Sequence, residues 1–320
     1  MSMNQRTRRR ITQACATAFA ASIAGWILSA CVGQDTPLIS AAPDNGDASL
    51  GADAGTTCTA SMPFVNVVEV GGVNTPDNEF APTLMSDEKT IVFARIADSF
   101  SSLYIATRAS INADFETPQR IAELSGTWDD VDPWLSASGN EILFVSDRSD
   151  SSDKIYRTQR NQGVFGAPTL LLPDWLGDSH RPSMTSDGSE LFFSSTNASN
   201  IGKTQIFHSL NSGNGFPEPE LVQELMPSDP NAYSNDGPVL SRDGLTMYFA
   251  SDRTSIMHIY RTERASPGNP FNNVPVLIST SSDTDNEISD APGWLSDDGC
   301  RLYFDRKQGG LLDIFVASKL

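Results

Sequence analysis

Residues 237–253, GPVLSRDGLTMYFASDR, read as a proline, a short strand, a Ser-x-Asp-Gly turn and a more apolar strand ending in Ser-Asp-Arg. The order recurs in APTLMSDEKTIVFAR (81–95), DPWLSASGNEILFVSDR (132–148), RPSMTSDGSELFFSS (181–195) and APGWLSDDGCRLYFDR (291–306). Pro82, Pro133, Pro182, Pro238 and Pro292 anchor the copies at spacings of 51, 49, 56 and 54 residues. A period near fifty built from short strands marks a propeller array, because one such unit cannot bury its apolar face alone.

Two further strands complete each period. The third is carried by residues 102–108, 154–160, 204–210, 258–264 and 313–319, and the fourth by 66–70, 119–124, 168–172, 220–225 and 274–279. These runs are rich in β-branched and aromatic residues, and a phenylalanine (Phe64, Phe115, Phe165, Phe216, Phe271) precedes each fourth strand. The array opens on a fourth-type strand and closes on a third-type one. If the first strand completes the last blade, no sheet edge is left open at the ends of the array. The predicted fold is therefore all-β, a five-bladed propeller of four-stranded antiparallel blades over residues 62–320.

Composition is consistent with that fold. Of 320 residues 39% are hydrophobic, which suffices for a core, and 40 Asp and Glu against 22 Lys and Arg give a formal charge of −18. The acid excess argues against nucleic acid, which needs clustered cations.

Residues 1–10 hold four arginines and no acid, and an apolar run follows to residue 30. This is the pattern of an export signal over 1–30, with an uncleaved signal-anchor helix as the alternative. Leu28-Ser29-Ala30-Cys31 resembles the bacterial lipoprotein cleavage box. That resemblance implies lipidation of Cys31, and Val32 in place of an aspartate favours the outer membrane. Thr7-Arg8-Arg9-Arg10-Ile11 also resembles a twin-arginine signal. Loss of the leader takes the charge from −18 to −22, so the lipid would be the only membrane attachment. Residues 31–61 carry the anchor and a tether without aromatic residues, reaching about 30 Å as a random coil. The remaining cysteines, Cys58 and Cys300, lie beside the closing strand and in the last blade. An exported compartment lets them pair across the closure; two free thiols are the alternative.

The Ser-x-Asp-Gly hairpin followed by a strand and Ser-Asp-Arg resembles the TolB-type, WD-like propeller repeat, and the likeness covers 62–320. It implies the propeller alone, since TolB's preceding α/β domain has no counterpart here. The same turn resembles the sialidase Asp-box, which is structural in that family.

Carboxylates precede every anchoring proline: Glu79, Asp130 and Asp132, Asp178, Asp236, and Asp290. Arg95, Arg148, Arg253 and Arg306 end the second strands. Strand order puts both sets on one ring face, as an acid–arginine ladder or as a cation site in which Ca²⁺ is the metal such oxygens suit. Otherwise no cofactor and no metal are expected. Blade three departs: Thr196-Asn197 replaces the Asp-Arg pair, and His180 and Arg181 appear beside the proline. Trp128, Trp134, Trp175 and Trp294 are expected to cluster near that mouth, as a ligand-binding aromatic set or as packing between blades. No G-x-S-x-G or H-E-x-x-H motif is present. The expectation is a monomeric, non-catalytic binding module with an envelope protein or glycan as partner. A glycosidase-like propeller using mouth carboxylates is the alternative.

Overall fold

The computed structural model describes residues 58–319 apart from 98, 150–151, 197–202, 230, 273, 279 and 281–287. The leader, Cys31 and the tether as far as residue 57 lie outside the described residues.

The Ser-x-Asp-Gly motif, with threonine for serine in blade three, closes the inner hairpins of blades three, four and five with side-chain bonds. In blade four the Asp243 carboxylate accepts Ser241 Oγ at 2.6 Å and the Leu245 N–H at 3.0 Å, while Ser241 Oγ accepts the Thr246 N–H at 2.9 Å. Asp187 and Asp298 do the same in blades three and five. Glycine follows in the left-handed region at 139, 188, 244 and 299, with φ of 71°, 70°, 68° and 69°. Blade one puts Glu88 there at φ 56°, held by Arg301 and the Tyr303 hydroxyl.

Blade one is Asn78–Leu84, Thr90–Ala97, Phe100–Thr107 and Gln119–Arg120. Blade two is Asp130–Leu135, Glu141–Ser146, Lys154–Asn161 and Thr169–Leu170, with Val164–Phe165 also paired to its third strand. Blade three is His180–Met184, Glu190–Ser195, Gln205–Leu210 and Glu220–Leu221; blade four is Asn235–Leu240, Thr246–Ser251, His258–Glu263 and Val276–Ile278. Blade five is Ser289–Leu295, Arg301–Gln308 and Leu311–Lys319, completed by the N-terminal strand Phe64–Glu69. Five antiparallel sheets in a ring, closed by the first strand, are thus the observed architecture. Five apolar clusters fill the spaces between neighbours, and the one joining Tyr303 and Ile314 to Leu84 and Phe93 closes the circle.

Two local features differ from expectation. The fourth strands of blades one to four are two or three residues long. In blade one the Ile121 N–H still reaches the Leu103 carbonyl, but the chain then turns to bury Leu124 and leaves the ladder. Each inner strand also carries a bulge at its proline, where the missing N–H does no harm. In blades one to four the residue before the proline is left-handed: Ala81 (φ 51°), Asp132 (52°), Arg181 (47°) and Gly237 (62°). In blade five the bulge falls one residue later, between Pro292 and Trp294.

The closure is held three ways. Phe64–Glu69 pairs with Leu311–Lys319 from Phe64↔Lys319 to Glu69↔Phe315. Cys58 and Cys300 form a disulfide with Cα atoms 5.3 Å apart. Lys319 Nζ donates to the Thr59 carbonyl at 3.0 Å and lies 4.6 Å from the Phe64 ring centroid. The last contact repeats elsewhere: Arg108, Arg160 and Arg264 lie over Phe115, Phe165 and Phe271.

Two outcomes follow for the closure. Replacing both cysteines by serine should lower unfolding stability by about 2–5 kcal/mol, read from chemical denaturation; an unchanged midpoint would mean that the bond does not constrain the chain. Burial, with Arg261 nearby, lowers the Lys319 ammonium from its ordinary 10.5 to about 8. Between those pH values the unfolded chain holds the proton more tightly than the folded one, so stability rises with pH across the window. Comparing Lys319→Met with wild type on either side of the window should show that part of the slope missing in the variant, and equal slopes would remove Lys319 as its source.

Candidate binding face and axial plug

The acid–arginine pairs stand where the inner strands begin. Arg95 donates to Glu79 at 2.7 Å, Arg148 to Asp130 at 2.6 Å, and Arg306 to both Asp290 oxygens at 2.8 Å. The three carboxylates are almost completely buried. Burial raises the Glu79 carboxyl above its usual range, against the lowering effect of Thr75 and Arg95. Asp130 is raised by burial too, against Ser146, Arg148 and Trp128, whose indole N–H it accepts at 3.1 Å.

Each ladder arginine also covers an aromatic ring of its third strand: Arg95 on Tyr104, Arg148 on Tyr156, Arg253 on Tyr260 and Arg306 on Phe315. In blade four the acid position belongs to Asn235, whose Oδ1 accepts from Arg253 at 2.9 Å. Asp236 is one residue further on and acts on the axial Arg181 and Asp132 instead.

In blade three Trp175 covers Phe207, at 5.1 Å between centroids, where the other blades place a guanidinium. It is buried against Phe193 and Leu172, and among the described residues its indole N–H finds no acceptor. Lys154 holds the Trp175 and Gly177 carbonyls at 3.0 Å each, and Ser195 Oγ donates to the Asp178 carbonyl, leaving the Asp178 side chain exposed. Leu176 at the tip of this loop is 89% exposed.

Arg181 closes the axis. Its guanidinium spans from blade three to blade five and grips Asp305 through Nη1 at 2.9 Å and Nη2 at 3.1 Å, with the Pro292 carbonyl at 3.4 Å. Its own N–H donates to Asp132 Oδ2 at 3.1 Å, and the Ala81 N–H donates to Asp305 at 3.0 Å. Burial works against the charge on Arg181, but Asp305, Asp132 and Asp236 outweigh it and raise its pKa. Burial raises Asp132, opposed by Arg181 and His180. The half-buried His180 lies opposite Ser194 and also acts on Asp153. Only about 20 Å³ remains open beside the plug. A Cβ on Gly237 would stand 2.9 Å from Arg181 Cδ, so the small residue there leaves room for the arginine.

The four tryptophans do not share a face. Trp128 and Trp175 belong to the acid–arginine side. Trp134 and Trp294 follow the bulges and line a cavity of about 70 Å³ at the opposite mouth, with turn residues Ser86, Ala137, Ser186 and Asp297. Trp294 packs edge-on against Tyr303. Among the described residues no three of His, Cys, Asp and Glu are grouped as a metal ion requires.

The ring is similar to the propeller of TolB. A putative TolB from Agrobacterium tumefaciens superposes with a TM-score of 0.50 at 17% identity, over 79% of this chain and 89% of that one. A thermostable family-43 glycoside hydrolase gives 0.51 at 15% identity, over 77% and 90%. The α-L-arabinofuranosidase PaAbf62A from Podospora anserina, solved with cellotriose, gives 0.50 at 13%, over 79% and 95%. At these identities the likeness concerns the fold. No protein-family model and no curated protein matches the sequence.

If Arg181 is the axial keystone, Arg181→Ala should lower unfolding stability by about 3–5 kcal/mol, because Asp305 and Asp132 are left buried without their cation. Arg181→Met with Asp305→Leu should recover most of the loss in thermal melts. Additive losses in the double variant would contradict the coupling.

Proposed function

We propose that this chain is an exported, lipid-anchored propeller that acts as a non-catalytic binding or scaffold module of the bacterial cell envelope. Cys31 carries the anchor, at the outer membrane. A protein or glycan binds the acid–arginine face, and the module works as a monomer without a cofactor. One observation carries the choice over catalysis: Glu79, Asp130 and Asp290 are buried and committed to arginines. A glycosidase needs an acid and a base free to exchange protons with substrate. Exposed Leu176, half-buried Trp128 and the carboxylates around His180 offer the mixed apolar and polar surface that binding uses.

A second reading has support of its own. The two arabinofuranosidase and family-43 neighbours share the fold, and Asp132, Asp236 and Asp305 surround one arginine at the axis. The full chain is therefore to be assayed against aryl glycosides and arabinan, and against immobilised envelope proteins and glycans, beside Leu176→Asp with Trp128→Ala. The scaffold reading predicts no turnover and binding that the double variant loses. Turnover abolished by Asp132→Asn would replace it with the enzyme.

A further inference from the structure

The outer edges of the blades are unequal. Blades one, two and three end in strands of two residues, and blade four in three, preceded by Pro275. Short strands and proline are ordinary ways of blunting a sheet edge. Blade five ends in six residues, Phe64–Glu69 (FVNVVE); Pro63 precedes this strand as Pro275 precedes blade four's, but the strand is longer and holds neither proline nor lysine within it. This strand is outermost in its sheet, and no described strand pairs with its other side. Val65 and Val68 are 53% and 47% exposed.

Register tells which backbone groups are free. The Val70 N–H bonds the Ile314 carbonyl, so by antiparallel alternation Asn66 and Val68 also face the partner strand. Val67 and Glu69 turn their N–H and C=O groups outward. The edge cannot drift, because the disulfide at Cys58 and the Lys319 contacts hold its start.

One end of the edge is acidic. Glu69 pairs with Phe315, and Asp313 follows on the same face two residues away. Neither carboxylate has an ion-pair partner among the described residues. Burial raises the Asp313 carboxyl, and the charge of Glu69 raises it further. A cation at this point would relieve the repulsion.

We propose that the Phe64–Glu69 edge of blade five is a docking strand for an extended peptide of another protein, which adds antiparallel as a fifth strand and places a basic residue against Glu69 and Asp313. The free Val67 and Glu69 backbone groups supply its ladder bonds, and Val65 and Val68 supply apolar contact to alternate side chains. The site lies on the rim, so it is independent of any ligand at the acid–arginine face.

The probe is a fluorescein-labelled Lys-Val-Thr-Val-Thr-Val, whose leading lysine falls opposite Glu69 in antiparallel register. Anisotropy with the full chain should give saturable binding with a micromolar Kd, at least about tenfold weaker for a peptide N-methylated at alternate residues. Val67→Pro removes an outward N–H and no ladder bond, and should weaken binding to a similar degree. Glu69→Lys, an exposed change that leaves the backbone intact, should do so for this peptide and not for its leading-Glu counterpart. No saturable binding up to millimolar peptide, or equal binding by the N-methylated peptide, would overturn the proposal. So would a concentration-dependent dimer in sedimentation that Val67→Pro abolishes, because a second copy would then be the occupant.

Discussion

The bond from the Val70 N–H to the Ile314 carbonyl belongs to the one pairing on which the ring depends. Each blade packs against two neighbours, and without Phe64–Glu69 the last blade would have three strands and an open flank. Covalent, hydrogen-bonding and aromatic contacts gather at this seam: the Cys58–Cys300 bond, the Lys319 amine on the Thr59 carbonyl, and Phe64 against Tyr248 of blade four. Residues separated by some 240 positions meet there, so the seam orders both ends of the domain at once.

A ring closed in this way brings equivalent residues together at its centre, and there the repeat has to break. Identical side chains from five blades would crowd or repel on the axis. Ala81 and Gly237 leave room, Asp132 and Asp305 bring charge, and Arg181 answers it from blade three. The same blade gives up its ladder arginine, and Trp175 takes over the ring of Phe207. The two departures in blade three have separate physical causes, one electrostatic at the axis and one of packing between blades.

Much of this was legible in the residues. Five prolines at near-equal spacing determined the blade number, and the strand types at the two ends implied the closure. Period and turn chemistry survive in a single sequence because every copy repeats them. Finer placement depends on backbone direction at the bulges, which strand propensity does not encode. Taking the nearest carboxylate before the proline suggests Asp236 for the ladder, but the place three residues before the proline, held by Glu79 and Asp130 in blades one and two, belongs in blade four to Asn235, which accepts from Arg253 in their stead. The same bulges send Trp134 and Trp294 to the mouth opposite Trp128 and Trp175. The outer strands look five or six residues long because Ile121, Leu124, Val222 and Leu225 are apolar, yet after a last bond from the Ile121 and Val222 N–H groups to the third strand the chain turns away, and Leu124 and Leu225 fill the space between blades. The role of Glu88, a carboxylate where the repeat expects glycine, could have been suspected from that departure alone.

The seam is tested most directly by hydrogen exchange, followed by mass spectrometry on the oxidised full chain. The account predicts that amides of Val68 and Val70 exchange as slowly as those of the inner strands and lose protection together with the 311–319 segment as denaturant is raised. Rapid exchange across 64–70 while 311–319 stays protected would show that the ring is not closed by its first strand, and would contradict the architecture from which every site here was placed.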